Sequence, residues 1–315
     1  MAGLKSTRSA LGDALVYLAD NGYDIAAVAA DTSKSMSISK LREKYPHLAY
    51  DCGIAEQNMM MLAAGLASTG KTAFAASYSV FTSMRTAEQL RTFICYPDLD
   101  VKVLAGIGGL SGGIEGATHM ALEDLGIVRC IPNLTVIAPA DYLSTRQTVI
   151  EWTKIPTPVY IRVGRDPSPV VYGNKSEFST SKANMLIDEG DDIGIISNGI
   201  ILPRALEAAG ILKKKGYNLK LIDMPVLKPA DTDAIIEIAS KTQHLFTVEE
   251  HNITGGLFSV VCEVLCRNYP AKVYPICTHD IYGESGSPSE LARLYKLDSK
   301  GIAQQIEEIL NGRKD

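Results

Sequence analysis

No basic stripe runs through this chain. Lys213-Lys214-Lys215 is its one basic run, and the formal net charge is -5. A surface that neutralises a phosphate backbone needs the opposite balance, so nucleic acid is not expected as a partner. The basic run closes a helical pattern just before Gly216, where cations suit the helix dipole, and it reads as a solvated helix end. The six cysteines (Cys52, Cys95, Cys130, Cys262, Cys266, Cys277) include no CxxC pair of the kind that holds a metal. Cys262 and Cys266 lie one helical turn apart and read as buried free thiols. No apolar stretch reaches membrane-spanning length, and no positive region followed by an apolar run opens the chain. No membrane is expected, and the expected compartment is the cytoplasm. There is no internal repeat.

What is present points to two globular domains. The chain has 315 residues, 46% of them hydrophobic and 21% charged, enough to bury two separate cores. Residues 9–20 read as an amphipathic helix. Ile25-Ala26-Ala27-Val28-Ala29-Ala30 is a short apolar run that reads as a buried parallel strand with Asp31 at its tip. Similar strands are expected at Thr72–Ala76, Val101–Ile107, Thr135–Ala138 and Val159–Val163, with helical patterns between them. Asp166-Pro167-Ser168-Pro169 opens a breaker-rich stretch, which places a linker at about 166–185. A second alternating unit follows. Its strands are expected at Ile193–Ser197, Leu219–Ile222 and Leu245–Val248, and its helices at Leu202–Lys215, Ala230–Ala239 and Leu257–Arg267. The expected fold class is α/β, with two open, mostly parallel sheets. Ligands then bind beyond the carboxyl ends of the strands.

The densest stretch runs from Asp51-Cys52-Gly53-Ile54-Ala55-Glu56 into Gln57-Asn58-Met59-Met60-Met61-Leu62-Ala63-Ala64-Gly65-Leu66-Ala67. It sets one carboxylate, Glu56, at the mouth of a helix that is apolar on nearly every face and is expected to pack inside the protein. Such a residue is either a first-turn acid placed for the helix dipole or a working carboxylate held out of water.

That segment resembles the thiamine-diphosphate-binding pyrimidine domain of transketolases, in particular the C-terminal half of the split, two-subunit kind. Several further stretches carry the resemblance in order: Ala76-Ser77-Tyr78-Ser79-Val80-Phe81 with Arg85 and Glu88-Gln89-Leu90-Arg91, Gly116-Ala117-Thr118-His119, and Ala121-Leu122-Glu123-Asp124. Pro132-Asn133-Leu134-Thr135-Val136 extends it, as do Glu249-Glu250-His251-Asn252, Gly255-Gly256-Leu257 and Gly283-Glu284-Ser285-Gly286. The resemblance implies a pyrimidine-binding domain over 1–167 and a transketolase C-terminal domain over 185–315. It implies transfer of a two-carbon ketol unit from a ketose phosphate to an aldose, in carbohydrate metabolism of the pentose phosphate type.

In that family, the carboxyl matching Glu56 shares a proton with a nitrogen of the cofactor's aminopyrimidine. The position of Phe81 stacks on the pyrimidine, Tyr78 lines the same pocket, and Asp31 lies near the cofactor at a strand tip. His119 matches a substrate-side histidine that bonds the reacting carbonyl oxygen and moves protons. Arg8, Ser35 and Arg162 match positions that hold the substrate's distal phosphate, where a guanidinium fork suits oxyanions; Arg165 is an adjacent candidate.

Two substrate-side positions depart from the family. Ile107 stands where ordinary transketolases have a histidine, and Glu115 stands where they have an aspartate that reads an acceptor hydroxyl. The family also binds diphosphate and magnesium through a Gly-Asp-Gly, and none occurs in these 315 residues. The resemblance therefore implies a partner subunit that supplies the diphosphate and magnesium site, a heterotetramer of two of each chain, and no activity for this chain alone. Three other readings stay open: a transketolase-like enzyme for a sulfonated or branched sugar, the beta subunit of a 2-oxoacid dehydrogenase, and a non-catalytic assembly subunit.

Overall fold

The short apolar runs become strands, as their length and their β-branched and alanine content require. In the computed structural model, which describes residues 3–173 and 178–312, the first part of the chain forms eight strands. These are β1 (Leu4–Ser6), β2 (Ile25–Ala29), β3 (Ala49–Asp51), β4 (Thr72–Tyr78), β5 (Val101–Gly106), β6 (Thr135–Ile137), β7 (Val159–Arg162) and β8 (Pro167–Pro169). The second part adds β9 (Asn184–Asp188), β10 (Ile193–Ser197), β11 (Leu219–Asp223), β12 (Val226–Lys228), β13 (His244–Asn252) and β14 (Val273–Thr278).

Two larger sheets result. One runs β12-β6-β7-β5-β4-β2-β3 and the other β14-β13-β10-β11-β9. All pairings in the first are parallel except β12 with β6, and all in the second except β9 with β11. The expected α/β architecture with mostly parallel sheets is what forms. Every strand and helix expected from periodicity is present, with ends displaced by a few residues.

Three features depart from the expectations. β12 comes from the second unit yet completes the first sheet, with Val226 opposite Ile137. The expected linker is no free tether either. β8 pairs with β1, Tyr172 is buried and stacks on Phe178 at 4.3 Å, and the Trp152 indole donates to the Thr180 carbonyl at 3.2 Å. Residues 174–177 of that stretch lie outside the described residues, as do 313–315 at the end of the second domain.

The third departure concerns the Glu56–Ser68 helix, expected to be buried all round. Its Met59, Met60, Ala63, Ala64 and Ala67 enter the core, but Met61 and Leu62 are exposed. Ile54 just before it, and Met84, Phe93 and Tyr96 on the segment packed beside it, are also exposed. The helix is amphipathic in its contacts though not in its composition. Each fully buried methionine contributes roughly 1.5–3 kcal/mol, so the inner face alone fixes the helix to the sheet. Of the cysteine pair expected to be buried, Cys262 is half-buried and Cys266 exposed, while all six thiols are free. No helix among the described residues is long and apolar enough to cross a membrane.

Candidate active site

The site gathers where β2, β4 and β5 end. Asp31 follows β2 with φ 56°, and its N–H donates to Asp51 Oδ1 at 2.9 Å. Asp51 also accepts from the Ser33 hydroxyl at 2.7 Å and from the Gly53 N–H at 3.1 Å. One carboxylate thus fixes the loop after β2 to the turn that delivers Glu56. Burial alone would raise the Asp51 carboxyl, but these donors outweigh it and hold it below the usual carboxylate range.

Glu56 opens its helix and is only 3% exposed. Its Oε2 accepts from Arg85 Nη1 at 2.7 Å, and the same guanidinium lies 4.4 Å above the centre of the Phe81 ring. Arg85 reaches both because residues Phe81–Arg85 form a π-helical turn, which spaces i and i+4 differently from an α-helix. From Phe81 the contacts continue without a break. His119 packs edge-on against Phe81 at 5.4 Å and against Tyr78 at 6.2 Å, and Thr118 Oγ1 meets His119 Nδ1 at 2.9 Å. Tyr78 stacks on Phe81 at 5.9 Å and donates from its hydroxyl to Ser35 Oγ at 3.3 Å.

The series ends at an anion-suited wall. Arg8 donates to the Ser35 carbonyl at 2.8 Å and to the Arg165 carbonyl at 3.1 Å. Burial, then the Arg165 charge, lower the Arg8 pKa from its ordinary value. Arg165 pairs with Glu115 at 2.8 Å, joining the loop after β5 to the end of β7. Arg8, Asp31, Lys34, Ser35 and Tyr78 line one open cleft of about 630 Å³. The structure therefore brings together Glu56, Phe81, Tyr78, His119, Asp31, Arg8, Ser35 and Glu115.

Two expected residues lie elsewhere. Arg162 is 6% exposed, and its Nε and Nη2 are engaged within the protein. Nε binds Asp124 Oδ2 at 3.0 Å, while Nη2 donates to the Ala121 carbonyl at 2.8 Å and the Glu250 carbonyl at 2.9 Å. These contacts tie the two domains together; three residues further on, Arg165 pairs with Glu115, and its carbonyl accepts from Arg8, which lines the cleft. Ile107 is 1% exposed with φ 58°, a strained conformation for a β-branched residue, and does not line the cleft. Gly109 follows it at φ 66°, and a Cβ there would come within 2.6 Å of Glu250 Oε2, so only glycine lets this loop press on the second domain.

Sequence reasoning misses Lys34 and the part played by Arg85. Lys34 stands beside Ser35 as a cation at a strand tip, and Arg85 reads from the sequence only as part of a motif. Both signals are legible. Among the described residues no group of three or more His, Cys, Asp or Glu is arranged to hold a metal.

Comparison with known proteins places this geometry. Residues 4–169 match the transketolase pyrimidine binding domain, and residues 181–302 match the transketolase C-terminal domain. A Methanocaldococcus jannaschii protein, provisionally named a transketolase C-terminal section, is 38% identical over 96% of this chain and 96% of its own length. One of the subunits of an apulose-4-phosphate transketolase from Phocaeicola vulgatus is 37% identical over 94% of this chain and 95% of its own. Among solved structures, a split gene transketolase described as an inactive beta4 tetramer superposes with TM-score 0.89 at 38% identity, covering 99% of this chain and 100% of that one.

Proposed function

Since this chain belongs to the transketolase family, as its pyrimidine-binding and C-terminal half, we propose that it is the C-terminal subunit of a two-subunit, thiamine-diphosphate-dependent transketolase. It transfers a two-carbon ketol unit from a ketose phosphate to an aldose. The observation that carries this reading is a carboxylate, Glu56, kept 3% exposed at a helix mouth and linked through Arg85, Phe81 and Tyr78 to a cleft lined by Arg8 and Ser35.

The residues fit the cofactor's ring. A flat, hydrogen-bond-donating cation, the Arg85 guanidinium, already rests on Phe81 with an N–H on Glu56, and an aminopyrimidine sharing a proton at its ring nitrogen offers the same flat shape and an N–H at the same edge. Thiamine diphosphate, when bound, supplies a ring carbon that becomes the nucleophile toward the sugar carbonyl. Glu56 holds and returns the proton at the pyrimidine nitrogen. Phe81 and Tyr78 fix the ring's plane and exclude water, with Asp31 at the adjoining strand tip. His119 bonds the reacting carbonyl oxygen and moves its proton. Arg8, Ser35 and Arg165 hold the distal anion.

The diphosphate and magnesium come from a partner subunit, for which this chain has no Gly-Asp-Gly. The exposed Ile54, Met61, Leu62, Met84, Phe93 and Tyr96 beside the Glu56 helix support a covered interface there. Two of each subunit form the active assembly, in the cytoplasm. The isolated chain is inactive.

One observation favours an unusual sugar. Glu115, where ordinary transketolases have an aspartate, is engaged by Arg165, so the position that reads an acceptor hydroxyl is altered. The Phocaeicola vulgatus relative named for apulose 4-phosphate supports a branched sugar as one candidate.

The test mixes this chain with its partner, thiamine diphosphate and magnesium, and assays ketol transfer. Glu56→Gln is expected to lower turnover by about 100-fold or more while the partner still binds. Activity near wild type in that variant would sink the assignment.

A further inference from the structure

Arg85 makes, at once, the two contacts assigned above to the cofactor's ring. Its Nη1 is 2.7 Å from Glu56 Oε2, and its guanidinium carbon lies 4.4 Å above the Phe81 ring centre. A guanidinium is planar and carries N–H donors along its edge. An aminopyrimidine seated between the same carboxylate and the same aromatic face needs the same volume. Both cannot occupy it.

The two ends of the ion pair differ in freedom. The Glu56 side chain is 3% exposed and fixed by its helix, whereas that of Arg85 is 47% exposed. The backbone of Arg85 is anchored, since Gln57 Nε2 donates to its carbonyl at 3.2 Å, so side-chain rotation alone would carry the guanidinium outward. Met84 beside it is exposed too, which leaves that outward path open to solvent.

We infer that Arg85 is a positioning residue that fills the ring's seat in the free subunit, keeping the Glu56 carboxylate paired until the cofactor displaces it. The inference rests on the reading of Glu56 and Phe81 given above. Its use is specific to a divided enzyme. A buried carboxylate without a partner destabilises its surroundings, and the free chain spends time without the other half of the cofactor site. Arg85 satisfies that carboxylate during this interval, and the ring must compete with it on entry. The apparent affinity is reduced by the fraction of time the seat is covered.

The test uses the assembled two-subunit enzyme with magnesium, titrated with thiamine diphosphate by equilibrium dialysis. Arg85→Met keeps the length but neither charge nor plane. It is expected to bind thiamine diphosphate about three- to tenfold more tightly. Arg85→Lys, which keeps the charge without the flat stack, should fall between Met and wild type. The free Arg85→Met chain should also melt at a lower temperature, because Glu56 loses its counter-charge.

A merely structural Arg85 would lower the melting temperature without tightening the cofactor. Unchanged or weaker binding in Arg85→Met overturns the inference. Glu56→Gln and Phe81→Ala serve as controls. If both weaken cofactor binding while Arg85→Met does not tighten it, this inference alone fails. If neither weakens it, the ring lies elsewhere and the proposed function fails with it.

Discussion

Glu56 and Asp124 are both nearly buried acids paired to one arginine, yet they belong to opposite kinds of ion pair. The partner of Glu56 is half in solvent; the partner of Asp124, Arg162, is 6% exposed and also holds two carbonyls from separate domains. Removing one side of a closed pair leaves an uncompensated buried charge. Arg162→Met should therefore destabilise the chain by about 3–5 kcal/mol in denaturant unfolding. Arg165→Met removes a partly exposed pair with Glu115 and a long hydrogen bond to the Gly112 carbonyl at 3.4 Å, so stability should stay within about 1 kcal/mol. Its KM for a phosphorylated sugar should instead rise by roughly tenfold or more, the loss of a charge-assisted contact. The opposite result, with Arg162→Met stable and impaired only in KM, would restore Arg162 to the cleft. The sequence pointed to Arg162, which the structure holds inside the seam between the domains. Val159-Tyr160-Ile161-Arg162-Val163 says that a cation ends a strand, while which one meets ligand depends on the second domain packing over Ala121 and Glu250. Glu56, Phe81 and His119 lie in local motifs, and the structure brings them together through Arg85 and ring contacts.

At the scale of elements, periodicity located the inner strands of both larger sheets, since each is a short apolar run of its own. It did not find the edge strands β1, β3, β8, β9, β12 and β14, some of whose sequences, such as Pro-Ser-Pro, carry no strand signal. The π-helical turn at Phe81–Arg85 was equally hidden, though it decides where Arg85 points.

One strand end carries a pH-sensitive group. Asp223 closes β11 and is buried; desolvation raises its pKa from 3.8 to about 7 against the hydrogen bond from Tyr172, with the Asp141 charge adding to the rise. A carboxyl raised on folding keeps its full contribution below pH 4, and stability is lost as pH climbs through 7. Asp223→Asn removes this loss and can still accept from Tyr172, while Oδ1 has no partner to lose. Thermal or denaturant unfolding should show the variant gaining on wild type by about 1–3 kcal/mol more at pH 8 than at pH 5. A pH-independent difference would mean that Asp223 does not titrate across this range.

For the whole molecule, composition and alternation were enough to count two domains, but not to say how firmly they are joined. Nothing in the residues from Arg129 to Lys228 announces that the chain returns to the first sheet after entering the second. Yet Lys228 donates to the Arg129 carbonyl at 3.1 Å, Arg129 donates to the Gly255 carbonyl at 2.6 Å, and Asp124 anchors Arg162 beneath the same seam. The arrangement of the site depends on that seam, because the loop carrying Glu115 and His119 is braced by residues from the other side.

The seventh strand of the first sheet, borrowed from downstream, means that the linear map and the cooperative map of this polypeptide disagree. Cutting the gene between residues 169 and 181 would not release two self-sufficient modules; the upstream piece would keep a bare β6 margin open to strangers. Scanning calorimetry of the intact chain should accordingly record a single endotherm, and two resolved peaks would show that the loan is weaker than its hydrogen bonds suggest.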